Sequence, residues 1–179
     1  AYPIHAFGFI INGANLVHYN VNSGIDLMTE ISSKVEGSKK DIKAMILNFP
    51  SNPTAEICSL DFYKEIVPYA KKHDIILLSD LAYAEIYFDE NEIPASILEV
   101  EGAKDIAVEF TSLSKSFSMP GWRMGFAVGN EYLISALTRI KSYLDYGAFT
   151  PIQVASAAAL NSEKSIIDEI RNVYKARRD

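Results

Sequence analysis

The chemistry in this chain is concentrated in the run Ser112-Leu113-Ser114-Lys115-Ser116-Phe117-Ser118-Met119-Pro120-Gly121-Trp122-Arg123-Met124-Gly125. Lys115 directly follows a strand-like run, and Arg123 stands eight residues further on. A lysine at the carboxyl end of a buried strand, with small hydroxyl residues before it and a cation one loop later, has the parts of an imine-forming site beside an anion pocket. Burial near other cations lowers a lysine's proton affinity, which makes it a nucleophile and afterwards a proton carrier. Ser112 and Arg123, with backbone amides, suit a dianionic phosphate, because guanidinium donors meet it in a forked geometry.

Such groups need a scaffold. Runs rich in branched apolar residues, at Leu16 to Asn20, Ala44 to Phe49, Ile75 to Ser79, Ile106 to Thr111 and Gly125 to Val128, alternate with helical patterns. Leu60 to His73 places Phe62, Ile66, Val67, Tyr69 and Ala70 at near-helical spacing and ends on Lys71-Lys72-His73, at the negative end of its dipole. That rhythm implies right-handed crossovers and an α/β fold, a mostly parallel sheet with helices on both faces. A helix is expected from Glu131 to about Lys141, a second from Ile152 to Leu160, and a capped one from Glu163 to Arg178. Residues 1–160 read as one large domain, and 161–179 as the start of a helix leading to another.

Ligands of parallel sheets collect beyond the carboxyl ends of the strands. Ser51-Asn52-Pro53-Thr54 follows the second run, Asp80 follows the third with Tyr83 three residues on, and the lysine segment follows the fourth. An amide, a carboxylate with a phenol, and an amine with hydroxyls would converge on one cleft. Asp80 suits a pyridine nitrogen: at ~4 Å and an effective dielectric of ~20, the attraction is roughly 4 kcal/mol in favour of a protonated ring. Asn52 and Tyr83 can donate to a phenolate oxygen on that ring. The set reads as a site for pyridoxal 5'-phosphate. Plainer uses stay open: Asp80 as a helix cap, Asn52 as a turn former, Tyr83 as a packing residue, and Lys115 or Arg123 as surface cations.

The stretch from Ser112 to Gly125 resembles the attachment-site signature of class I pyridoxal-phosphate aminotransferases. Ser51-Asn52-Pro53-Thr54 is similar to their Asn-Pro-Thr turn, and Asp80-Leu81-Ala82-Tyr83 to their aspartate and tyrosine pair, in the same chain order. The resemblance implies that Lys115 carries the cofactor as an imine and that Asp80 binds its ring nitrogen. It further implies that Asn52 and Tyr83 bind the phenolate oxygen, and Ser112 and Arg123 the phosphate. Ala1 to Ala6, Asp80 to Ile86 and Arg139 to Gly147 look like the bacterial glutamate-pyruvate (alanine) transaminase subgroup. The substrates implied are amino acids, such as glutamate or alanine, and 2-oxo acids, such as pyruvate or 2-oxoglutarate, in a homodimer. Ala55 stands where the wider family usually has glycine. A glycine-rich phosphate loop, a ring-stacking aromatic and a substrate-carboxylate arginine belong to the family pattern but not to this chain. A large-domain fragment unable to transaminate at a normal rate alone is the expectation.

Composition narrows the alternatives. The chain has 179 residues, an apolar fraction of 49% and a net charge of −6 spread along its length, so it can bury a core and offers no basic stripe to nucleic acid. Cys58 is the single cysteine, which excludes an internal disulfide framework and fits a reducing, cytoplasmic compartment. His5, His18 and His73 fall at no metal-ligand spacing, and no run approaches the ~20 apolar residues of a membrane span.

Two rival readings remain. Ser112-Leu113-Ser114-Lys115 satisfies Ser-x-x-Lys, the pattern of serine-lysine hydrolases, which requires a helical setting against the strand-like lead-in here. A non-catalytic module that holds pyridoxal phosphate without turnover is the other. Tyr143, Tyr146 and Phe149 read equally as core packing or as a dimer contact, and Met119 and Trp122 as plugs of the cleft floor.

Overall fold

The branched apolar runs in the middle of the chain form the sheet. In the computed structural model, which describes residues 2–21, 24 and 26–179, β1 (Ala44–Asn48), β2 (Ile76–Asp80) and β3 (Ala107–Ser112) lie side by side and parallel. β4 (Gly125–Gly129) pairs with β3 in the antiparallel sense, with Ser112 opposite Gly125. The approach is close at its far end: Gly129 sits at positive φ, and a Cβ there would collide with the Ala107 carbonyl, so no other residue fits without moving the backbone.

Helix α3 (Leu60–Lys72) connects β1 to β2. It begins where the Ser59 side chain accepts a hydrogen bond from the Phe62 amide at 3.2 Å, and it stops at His73, before Asp74 turns to positive φ. Its apolar face, Phe62, Tyr63, Ile66, Val67 and Ala70, packs on Met45, Leu47 and Leu77 of the sheet together with Ile31. Each large aliphatic side chain in that layer removes enough surface from water to contribute about 1.5–3 kcal/mol. On the opposite face Ile46 and Leu78 are only half-buried, while on β4 Phe126 and Val128 share the α3 face by register and are exposed.

Two helices go beyond the sequence reading: α1 (Pro3–Ile11) and α2 (Leu27–Glu36), the latter carrying Ile31 into the core. Leu16 to Asn20 is not a strand. It runs extended beside the outer edge of β1, where the Tyr19 hydroxyl donates to the Ile46 carbonyl at 2.6 Å, so a side chain takes the place of a ladder bond. Burial of that phenol pushes its pKa well above the usual range. α4 (Leu113–Ser116) follows β3 directly; α5 (Glu131–Leu144) and α6 (Thr150–Leu160) come next. α7 (Ser165–Arg178) starts later than expected, at a Lys164 N-cap with no side-chain cap in place of Asn161 or Ser162.

α7 is fastened by Arg171. Its guanidinium stacks 3.7 Å from the Tyr87 ring centroid, its Nε donates to the Glu85 carbonyl at 3.0 Å, and Asp168, Glu85 and Glu90 surround it at 3.3–3.8 Å.

Candidate active site

Parallel strands in sequence order bring three carboxyl ends to one rim, and each supplies a group that the sequence singles out. Asp80 is the last residue of β2, not the first after it, and its side chain is about one quarter exposed. Its Oδ1 accepts from the Ala82 amide at 3.2 Å, and its Oδ2 lies 2.8 Å from Nε2 of His5. That histidine arrives from α1, seventy-five residues away, and sequence reasoning missed it. The one hint was its membership of the segment from Ala1 to Ala6.

Beyond β1 the chain turns through Pro50 and Pro53, both after cis peptides, and Asn52 reaches the segment after Asp80: its Nδ2 donates to the Tyr83 hydroxyl at 3.4 Å. Lys115, in α4 beyond β3, is half-buried, and its Nζ stands 5.4 Å from the centroid of the Tyr83 ring. It has no carboxylate partner within ion-pair distance among the described residues. Asn52, Tyr83 and Lys115 therefore form a continuous set, with Asp80 three residues before Tyr83 at the same rim.

Ser112 and Arg123 flank the lysine loop. The Ser112 side chain caps α4 by accepting from the Ser114 amide at 3.2 Å, which leaves its hydroxyl proton free to donate. Arg123 follows the 3-10 turn Pro120–Trp122 at a left-handed φ of 52°, and its Nη1 donates to the Pro120 carbonyl at 2.9 Å. Its side chain is exposed, and no contact joins it to Ser112; the two are brought to one loop, not to one bound position. The Ser-x-x-Lys segment does sit in a helical turn, a correction to the strand-like lead-in argument, but the Ser112 oxygen is occupied there as a cap.

Trp122 does not plug the cleft floor: it is about half exposed and lines an open groove of about 460 Å³ with Phe149, Pro151 and Ile152. That groove borders the loop and does not include Lys115 or Asp80. Tyr143, Tyr146 and Phe149 are 83%, 93% and 71% exposed, so none of them packs into the core of this chain. Burial pushes the Cys58 thiol up to about 11, so it stays protonated at neutral pH and is no nucleophile. No cluster of metal-ligating side chains occurs among the described residues, and no described helix is long and apolar enough to cross a membrane.

The rim of the α/β sheet thus carries an amine, a carboxylate and a paired amide and phenol, with a hydroxyl and a guanidinium on the flanking loop. The chain belongs to the aminotransferase class I and II family, whose sequence model matches residues 1–179. Members of that family use pyridoxal phosphate. Over 99% of its length the chain is 61% identical to AatC of Rhizobium meliloti, whose own aminotransferase assignment is provisional. It is 49% identical over 100% of its length to AlaC, a glutamate-pyruvate aminotransferase of Escherichia coli. Its structure matches substrate-bound BacF of Bacillus subtilis with a TM-score of 0.83 at 34% identity, covering 99% of this chain and 44% of that one. The chain spans 44% of AatC and 43% of AlaC, less than half of either.

The side chains present fit the cofactor. A half-buried amine without a carboxylate partner, a carboxylate already oriented by two donors, and a paired amide and phenol are the donor set that the aldehyde, ring nitrogen and phenolate oxygen require.

Proposed function

We propose that this chain is the cofactor-binding part of an aminotransferase that moves an amino group between an amino acid and a 2-oxo acid. The observation that carries this reading is the approach of Lys115 to the ring, and of Asn52 to the hydroxyl, of one residue, Tyr83, three positions after Asp80. Lys115 would hold the cofactor covalently, Asp80 its ring nitrogen, Asn52 and Tyr83 its phenolate oxygen, and Ser112 and Arg123 its phosphate. Bound there, pyridoxal phosphate supplies an electron-withdrawing ring that stabilises negative charge at the substrate's alpha carbon. The Lys115 amine would carry the proton taken from that carbon, a general acid-base role worth about 10² to 10⁴ in rate. Asp80, held by His5 and the Ala82 amide, favours a protonated ring nitrogen. The Tyr83 hydroxyl and the Asn52 amide, already paired with each other, would donate to the phenolate oxygen.

Glutamate or alanine as donor, with pyruvate or 2-oxoglutarate as acceptor, is the substrate pair we propose, in line with the 49% identity to AlaC. We place the protein in the cytoplasm, for which a lone, unpaired Cys58 is support. A homodimer would cover the exposed Tyr143, Leu144, Tyr146 and Phe149. Residues 1–160 form the large domain in this reading, and α7, after the turn at 161–164, leads out of it. A chain that holds pyridoxal phosphate without turnover is the second reading.

Mixing the chain with pyridoxal phosphate, reducing with borohydride and mapping peptides tests the proposal. The adduct is expected on Lys115 and absent from Lys115→Ala; an adduct on another lysine would sink the assignment. In a coupled alanine assay the chain alone should turn over far more slowly than one extended to the length of its relatives. Equal rates would contradict the division of labour described here.

A further inference from the structure

Asn48 is the last residue of β1, and the parallel register sets it directly beside Asp80. Its side chain uses both ends. Nδ2 donates to the Asp80 carbonyl at 3.2 Å and to the Pro50 carbonyl at 3.3 Å, while Oδ1 accepts from the Asn52 amide at 3.1 Å. One half-buried amide group thereby ties the strand end bearing Asp80 to the turn bearing Asn52. We propose that Asn48 is a positioning residue that fixes the separation between the group facing the cofactor's ring nitrogen and the groups facing its phenolate oxygen. The inference rests on the assignment of Asp80, Asn52 and Tyr83 given above.

The chemistry selects asparagine. Aspartate has the same shape and keeps the acceptor for the Asn52 amide, but it loses both donations and turns a negative charge toward two carbonyl oxygens. Alanine loses all three contacts. Neither change touches the cofactor, so any effect on it passes through Asn52 and Asp80. When Asn52 moves, its pairing with Tyr83 is broken and the phenolate oxygen loses a donor. The phenolate then holds the neighbouring imine proton more strongly, and the pH at which the lysine-bound chromophore gives up that proton rises.

The experiment measures that pH midpoint from the visible absorbance of the chain reacted with pyridoxal phosphate, for wild type, Asn48→Ala, Asn48→Asp, Asn52→Ala and the Asn48→Ala/Asn52→Ala pair. Asn48→Ala is expected to raise the midpoint by about one pH unit, the scale of one lost hydrogen bond to a charged group, and Asn48→Asp, which still holds the Asn52 amide, by less. The double variant should move little further than Asn52→Ala, because the two residues act on one oxygen. A wild-type midpoint in folded Asn48→Ala, or fully additive shifts, would overturn the proposal. Hydrogen exchange of the Asn52 amide judges it without cofactor. Faster exchange in Asn48→Ala but not in Asn48→Asp, which keeps the acceptor, is expected, and unchanged exchange in both would refute it. A wild-type chain that forms no adduct on Lys115 would instead defeat the functional reading, and the exchange result separates the two failures.

Discussion

Nε2 of His5 and Oδ2 of Asp80 lie 2.8 Å apart, in a setting where the two side chains are only 14% and 26% exposed. The imidazole N–H is the donor, since an ionised carboxylate can only accept. This single bond joins α1 to the end of β2, and with the Ala82 amide it leaves the carboxylate one orientation. His5→Phe should therefore lower pyridoxal-phosphate affinity about tenfold, the scale of one charge-assisted hydrogen bond, while His5→Gln restores part of it. Absorbance titration with pyridoxal phosphate gives the comparison, and equal affinities would show that α1 merely rests against the strand.

Arg123 is held at positive φ by its loop, with one guanidinium nitrogen on the Pro120 carbonyl and the rest exposed. Arg123→Ala should weaken pyridoxal phosphate more than it weakens pyridoxal, because only the former carries the dianion; a loss of about 2 kcal/mol is the expected scale for a forked contact. Arg123→Lys should recover charge but not the fork. Identical losses for the two aldehydes would remove Arg123 from the phosphate site.

Arg171 is 8% exposed, and its stack on Tyr87 and its bond to the Glu85 carbonyl join α7 to that segment. Its acidic neighbours are solvent-exposed and add little. Arg171→Ala should cost about 2 kcal/mol through the lost stack and the lost bond to the Glu85 carbonyl. Urea unfolding would report the loss, and amide exchange should locate it in α7 and the segment around Tyr87.

Cys58 gives the alkaline limit of stability. Burial raises its pKa to about 11 in the folded chain, above the ordinary thiol value. A group raised in this way stabilises the fold fully below its unfolded pKa, and that contribution is lost as pH climbs through the folded value. Stability should fall between about pH 9 and 11. Tyr19 and Tyr63, both raised chiefly by burial, act in the same direction at higher pH. Cys58→Ala should flatten the first part of the decline in thermal-denaturation midpoints, and an unaltered pH profile would contradict the assignment.

Local signals gave away the groups that lie just beyond strand ends. Asn52, Asp80, Tyr83 and Lys115 stand where an apolar run gives way to polar residues, a transition visible in a single sequence, while Arg123 was marked by its spacing from Lys115. His5 and Asn48 were hidden for different reasons. The His5 contact spans seventy-five positions with nothing local to announce it. Asn48 looked like the tail of an apolar run, although an amide closing a strand of branched residues was a usable signal. Leu16 to Asn20 misled because its period suits a strand, while its edge bond is made by the Tyr19 hydroxyl. Ser112 and Arg123, the pair proposed for the phosphate, were legible as chemistry but not as geometry, since the orientation of Arg123 depends on a backbone turn with no sequence periodicity.

Because β4 doubles back on β3, with Ser112 across from Gly125, the segment bearing Lys115 leaves and re-enters the sheet at one point. Its amine and its guanidinium are thus anchored by a pair of adjacent strands rather than by the surrounding helices. The segment behaves as a staple whose two legs share a base: lengthening it would spread the cationic groups apart without disturbing the sheet beneath. Tolerance to insertion here would thus be structural and intolerance chemical, so a folded but colourless variant is the signature of a stretched loop.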